Sequence, residues 1–178
     1  MAQTFLNLAQ GVTGTLPTSN YVQGGITEAD QWLVSSSFSA TTNPIVNNWE
    51  RVGLVGFSKI GTGMSQSSGI FTFPSTGIYK IFVVCSAFKS GDDRTISKRI
   101  FVTTNNSSYT EVAMADTSVS QVQSNNTHTS GSNTIYFDVT DTANCKVKFG
   151  FFTNNSSTYY TSNTVLLSNV MFIRMGDT

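Results

Sequence analysis

Charge is scarce in this chain. Lys, Arg, Asp and Glu make up 11% of its 178 residues, ten basic against ten acidic, and they are scattered singly. A surface without a basic patch has no electrostatic footprint for DNA, RNA or anionic lipid, so no nucleic-acid partner is expected. No apolar run reaches membrane-spanning length, and no membrane insertion is expected. The opening residues "MAQTFLNLAQGVTGTLP" lack the basic and apolar regions of a secretory signal, which points to synthesis in a cytoplasm. Helical patterning is missing too. The best local candidate, "TEADQWL", is too short to matter.

The residues that usually carry chemistry are equally sparse. The single histidine, His128, lies in "SNNTHTSGSN" with no Cys, Asp or Glu at ligand spacing, and reads as a solvated loop residue. There is no G-x-S-x-G elbow for a serine nucleophile. Asp92 and Asp93 in "KSGDDRT" could form a carboxylate dyad or chelate a cation, but their place between Gly91 and Arg94 is more simply a turn. Asp138 and Asp141 read as one strand-edge and one turn residue. No glycine pattern cradles a phosphate, and no helix is there to receive one. Neither catalysis nor a cofactor or metal is expected. Two cysteines, Cys85 and Cys145, sit in apparent strands, where a free thiol acts as a small hydrophobe; a bond between them is the less favoured alternative.

What is abundant is Ser, Thr, Asn, Gly and aromatic residues, the last at 12% with thirteen Phe. Segments rich in β-branched and aromatic side chains alternate with polar clusters, and predict strands near 31–39, 49–59, 69–73, 77–88, 95–103, 109–115, 118–123, 133–139, 145–153 and 164–175. The fold class expected is all-β: an antiparallel two-sheet jelly-roll sandwich of about eight to ten strands over 31–178. Residues 1–30, punctuated by Gly and Pro, read as an extended N-terminal arm.

In a sandwich each strand should bury one alternate set of side chains. "TIYFDV" does so, with Ile135, Phe137 and Val139 opposite Tyr136 and Asp138. Three segments do not. "GIYKIFVVCSAF", "KVKFGFF" and "NTVLLSNVMFIRM" are apolar on both alternating faces, so each needs a second partner. The economical one is another copy of the chain, and the alternative is cover by the arm or a long loop. The interface candidates are Tyr79, Ile81, Phe82, Val84, Phe152, Leu166, Val170 and Phe172. The alternation is fixed by sequence, but its phase is open.

"TNNSSYT" at 104–110 and "TNNSSTYYT" at 153–161 repeat each other. They contain N-x-S acceptors, but without a secretory signal they read as two similar loop tips. Amides and aromatic rings of this kind also suit a host-surface glycan, with Asn154, Asn155, Tyr109, Tyr159 and Tyr160 as candidate contacts.

"SSGIFTFPSTGIYKIFVV" resembles the signature of the globular heads of the complement-component and tumour necrosis factor superfamily, read as a two-run hairpin. Gly69, Phe71, Thr72, Pro74, Gly77 and Tyr79 meet its pattern, followed by Ile81 and Phe82. The resemblance covers about residues 32–175 and implies a ten-strand jelly roll that trimerises around apolar sheet faces. The arm is similar to a segment of bacteriophage tail-fibre and other virion-surface proteins, through Asn7, Leu8, Ala9, Val12, Thr13, Gly14, Thr15, Leu16, Pro17 and Asn20. Together the two resemblances imply a non-enzymatic phage virion protein, a homotrimeric knob on a tail appendage or the capsid. Phe5, Leu6, Leu8, Val12, Leu16, Pro17 and Tyr21 would dock the arm on other virion proteins.

Overall fold

In the computed structural model, residues 25–46, 49–121, 124–162 and 164–178 are described. The arm residues Phe5, Leu6, Leu8, Val12, Leu16, Pro17 and Tyr21 lie outside them. β-Branched and aromatic runs broken by Gly, Asn and Ser give twelve strands and no helix among the described residues. They are β1 (Ala29–Val34), β2 (Phe38–Ser39), β3 (Trp49–Arg51), β4 (Ser65–Ser67), β5 (Ile70–Thr72), β6 (Gly77–Lys89), β7 (Asp93–Thr103), β8 (Thr110–Val119), β9 (Thr127–Val139), β10 (Lys146–Thr153), β11 (Thr158–Tyr160) and β12 (Asn169–Gly176).

Two antiparallel sheets face each other, as the fold class predicts. Sheet A runs β2-β11-β6-β12-β1-β3, with β9 along the other edge of β6; sheet B runs β4-β5-β10-β7-β8. Between them the rings of Trp32, Trp49, Phe71, Phe149 and Phe172 meet at centroid distances of 5.1–6.2 Å. A fully buried side chain of this size contributes roughly 1.5–3 kcal/mol, so this aromatic cluster is the main cohesive element.

Two polar residues cross that core and are fully paired. Asp30, on the inward face of β1, accepts from Trp32 Nε1 at 2.9 Å, Arg51 Nε at 2.9 Å and the Met64 N–H at 2.8 Å. Lys98 of sheet B donates to the Cys85 and Gly131 carbonyls of sheet A, which holds the two layers together at that end. Burial lowers the Lys98 pKa, and it pushes the Cys85 thiol up to about 11; Cys85 and Cys145 are both buried and free.

The signature stretch is not a hairpin. Its first run forms β5 in sheet B and its second forms β6 in sheet A, so Phe73–Thr76 carries the chain from one layer to the other. The Tyr79 hydroxyl donates to the Ser75 carbonyl at 3.2 Å within this crossover. Gly77 has φ +136°, and a Cβ there would lie 2.5 Å from the Gly176 carbonyl oxygen, so the crossover re-enters sheet A where a side chain cannot fit.

Other boundaries shift for local reasons. The segment predicted at 31–39 divides into β1 and β2, and that at 49–59 forms a strand only over Trp49–Arg51, with one further bond from the Val52 N–H to the Gln31 carbonyl. Strands predicted at 109–115 and 118–123 merge into β8, which carries a register shift opposite Ile100 and Phe101. His128 is not in a loop: β9 begins at Thr127 and pairs with β6 over its whole length, because backbone ladders do not require apolar side chains.

Candidate interaction faces

The register fixes which side of β6 looks out. Gly77, Tyr79, Ile81, Val83, Cys85 and Ala87 are buried, so Ile78, Lys80, Phe82, Val84, Ser86 and Phe88 form the outward set. On one flank Met171 stands opposite Phe82 and Ile173 opposite Lys80; on the other, β9 presents Thr134, Ser132 and His128 opposite Phe82, Val84 and Phe88. The outer face of sheet A is therefore an apolar band bordered by a polar strand. At its far edge, Leu54, Val55, Phe57, Val165 and Leu166 line a cleft of about 530 Å³, with Val55 and Val165 exposed. Phe88, His128 and Tyr160 close the band at the other end, with ring centroids 5.3–5.4 Å apart.

This phase corrects four interface candidates. Tyr79, Ile81, Val170 and Phe172 are 0–1% exposed inside the subunit's own core and have no surface to offer a neighbour. Phe82 and Val84 point outward, and Leu166 is half-buried in the cleft. Phe152 lies on the opposite side of the molecule, on the outer face of sheet B. Phe88, Met171 and Ile173 join Phe82 and Val84 on one face; the alternation that would have found them was visible in sequence, but its phase was not.

The outer face of sheet B also carries aromatic rings, yet here each has a cation. Arg99 lies 4.2 Å over Phe152, and Lys148 Nζ is 4.5 Å from the Tyr109 ring and 5.5 Å from Phe101. Phe101 and Phe152 are 6.4 Å apart. They converge over Gly150, where a Cβ would come within 2.7 Å of the Phe152 ring and 3.1 Å of the Phe101 ring.

The five candidate glycan contacts do not form one cluster. Tyr159 is 2% exposed and stacked on Phe38 at 4.8 Å, and its burial raises the phenol pKa well above the usual value. It is a core residue and cannot contact a ligand, which corrects that expectation. Tyr160 belongs to the outer face of sheet A, packed on Phe88. Tyr109 is carried by the connection after β7, whereas Asn154 and Asn155 follow the opposite end of the antiparallel partner β10.

The two "TNNSS" turns are built differently. In the first, Asn105 Oδ1 accepts from the Ser107 and Ser108 N–H groups at 3.0 and 2.9 Å, a turn closed by its own side chain, with Asn106 at φ +53°. In the second, a distant carboxylate organises the loop. Asp93 is 0% exposed and accepts from Ser157 Oγ at 2.6 Å, the Asn155 N–H at 3.2 Å, the Asn154 N–H at 3.3 Å and Thr153 Oγ1. Burial alone would raise its pKa; the hydrogen bonds from Ser157, Thr153, Asn155 and Thr95 outweigh it and hold the carboxyl below its usual value. Asp93 is thus an anchor rather than half of a dyad with Asp92.

Among the described residues no group of three His, Cys, Asp or Glu side chains could hold a metal ion. What the geometry offers among the described residues is surface: one half-buried apolar face without cations over it and one aromatic face covered by cations.

No protein-family model and no curated protein matches the chain. Solved structures do. Murine APRIL at pH 5.0 aligns with 83% of this chain and 98% of its own at 11% identity and TM-score 0.59. The Eiger TNF of S. frugiperda covers 84% and 93% at 13% identity and TM-score 0.63. The vertex protein P5 of phage PRD1 covers 86% and 100% at 18% identity and TM-score 0.51. At these identities the likeness is one of fold: the chain is a tumour necrosis factor-like jelly roll.

Proposed function

We propose that this chain is a non-enzymatic structural protein of a bacteriophage virion, a homotrimeric surface knob attached to the particle by its N-terminal arm. The observation that carries this reading is the outer face of sheet A, where Phe82, Val84, Met171 and Ile173 lie side by side and, among the described residues, no cation sits over the aromatic ring. A contiguous apolar band of this kind is costly to leave in water, and closed cyclic symmetry covers it in every copy. The fold shared with a phage vertex protein supports a virion setting, and the arm's similarity to tail-fibre segments supports attachment through it. Three arms on one knob would bind a common platform at high effective concentration, so each arm contact can be weak. Sheet B then faces outward, available for adhesion.

Light scattering of the full chain at micromolar concentration tests the assembly. A trimer is expected, and Phe82→Glu with Met171→Glu is expected to give folded monomers, because two buried charges per interface have no partner. A monomeric wild-type protein would overturn the reading. Removing residues 1–24 should leave the trimer intact and abolish its incorporation into particles; incorporation without those residues would refute arm attachment.

A further inference from the structure

We propose that the outer face of sheet B binds an acidic glycan along the strip that runs from Tyr109 through Lys148 and Phe101 to Phe152. The strip goes beyond the assembly reading and stands without it, since it lies within one subunit. Three observations carry it. The rings of Phe101 and Phe152 are half-buried and settle over Gly150, so they present a low aromatic floor where a side chain would have stood. Arg99 lies 4.2 Å over Phe152, so at that end the floor a ligand meets is the guanidinium plane stacked on the ring, and sugar rings pack on flat surfaces of this kind through their apolar faces. Lys148, held between Tyr109 and Phe101, makes no ion pair among the described residues, whereas Arg99 at the other end is neutralised by Glu111 at 3.1 Å. One unpaired ammonium in the middle of an aromatic floor fits one carboxylate on an otherwise neutral chain of rings. Exposed Asn43, whose Cβ is 3.5 Å from the Cβ position at Gly150, offers an amide to ring hydroxyls from the side.

From Lys148 to Phe152 the strand advances about 13 Å, the span of a short oligosaccharide. The charge argues against a single nucleic-acid strand, which would need a cation at each successive phosphate. Asn154 and Asn155 lie just beyond the Phe152 end, and Tyr109 forms the other end. The strip therefore joins glycan candidates that the two loops hold apart.

The test is calorimetric titration of the full chain with hexasaccharides of polysialic acid, polygalacturonate and hyaluronan, with maltohexaose as the neutral control and an oligothymidylate as the nucleic-acid control. Saturable binding of at least one acidic hexasaccharide is expected, with amide shifts mapping to β7 and β10. Lys148→Gln and Phe152→Ala should each weaken it about five- to tenfold, a loss comparable to one stacking or cation–ring contact. Light scattering on Lys148→Gln should show the wild-type assembly, which separates failure of this site from failure of the trimer. No binding of any acidic hexasaccharide at millimolar concentration, equal binding of maltohexaose, or tighter binding of the oligothymidylate would overturn the proposal.

Discussion

The two "TNNSS" turns have the same five residues and different structures. After β7, the left-handed residue is Asn106, and the turn is closed by the neighbouring Asn105 side chain. After β10, the left-handed residue is Ser156, one place later in the repeat, and the organising group is Asp93, more than sixty residues away in sequence. A local sequence thus supplies donors and acceptors, while the tertiary environment decides which of them are used. The first turn should tolerate loss of its fold context; the second should not.

The largest effect that separates them is expected from Asp93→Ala. It leaves the hydroxyls of Ser157 and Thr153 and the N–H groups of Asn154 and Asn155 without their buried acceptor, at a cost of about 3–5 kcal/mol. Thermal denaturation at fixed protomer concentration should register a fall in Tm of about 10 °C or more. An equal loss from Asn105→Ala would break the comparison.

The same carboxylate gives the second turn a pH dependence that the first lacks. Its folded pKa is lowered, so the stability it contributes is present above the unfolded Asp value of about 3.9 and is lost as pH falls through the folded value. Stability measured from pH 5 downward should decline through this range in the wild type. Asp93→Asn should flatten that decline, and an unchanged profile would show that the anchor does not need its charge.

Asn105→Ala comes next. Its amide oxygen is a local acceptor at an exposed position, so removal should cost about 1 kcal/mol, in the range of helix-cap and turn substitutions. Urea denaturation can resolve a change of that size. A loss above that of Asp93→Ala would reverse the order of the two turns.

Much of this molecule was legible beforehand, and the reason for each failure is physical. The all-β class, the turn positions and the doubly apolar strands follow from side-chain type and spacing, which are local properties. The repeat of the two turns was visible for the same reason, but Asp93 looked like an ordinary turn residue because its partners lie at 153–157. The phase of β6 is set by which of its faces packs on sheet B, a tertiary choice, so Tyr79 and Phe82 could not be told apart in advance. β4 and β11 have three residues each, too few to show a period. The first half of β9 is polar on both faces, because it needs only the backbone of β6 to be a strand, and it concealed His128 in an apparent loop. The strip over Gly150 depends on a missing side chain, and sequence gives no hint that two rings will fill that space.

The smallest expected effect is the most specific test of how the turns differ. A left-handed backbone costs a serine more than an asparagine, whose short amide can bond locally, and costs glycine almost nothing. Ser156→Gly should therefore stabilise the protein by about 0.5–1 kcal/mol, reduced by the greater freedom that glycine gives the unfolded chain. Asn106→Gly should give less, because asparagine already accepts that conformation and Asn105 closes its turn. The reciprocal pair sharpens the point: Ser156→Asn should be mildly stabilising, whereas Asn106→Ser should be destabilising. If the two positions instead respond alike, the left-handed residue is strained equally in both turns, and the buried Asp93 anchor does not account for its displacement from Asn to Ser.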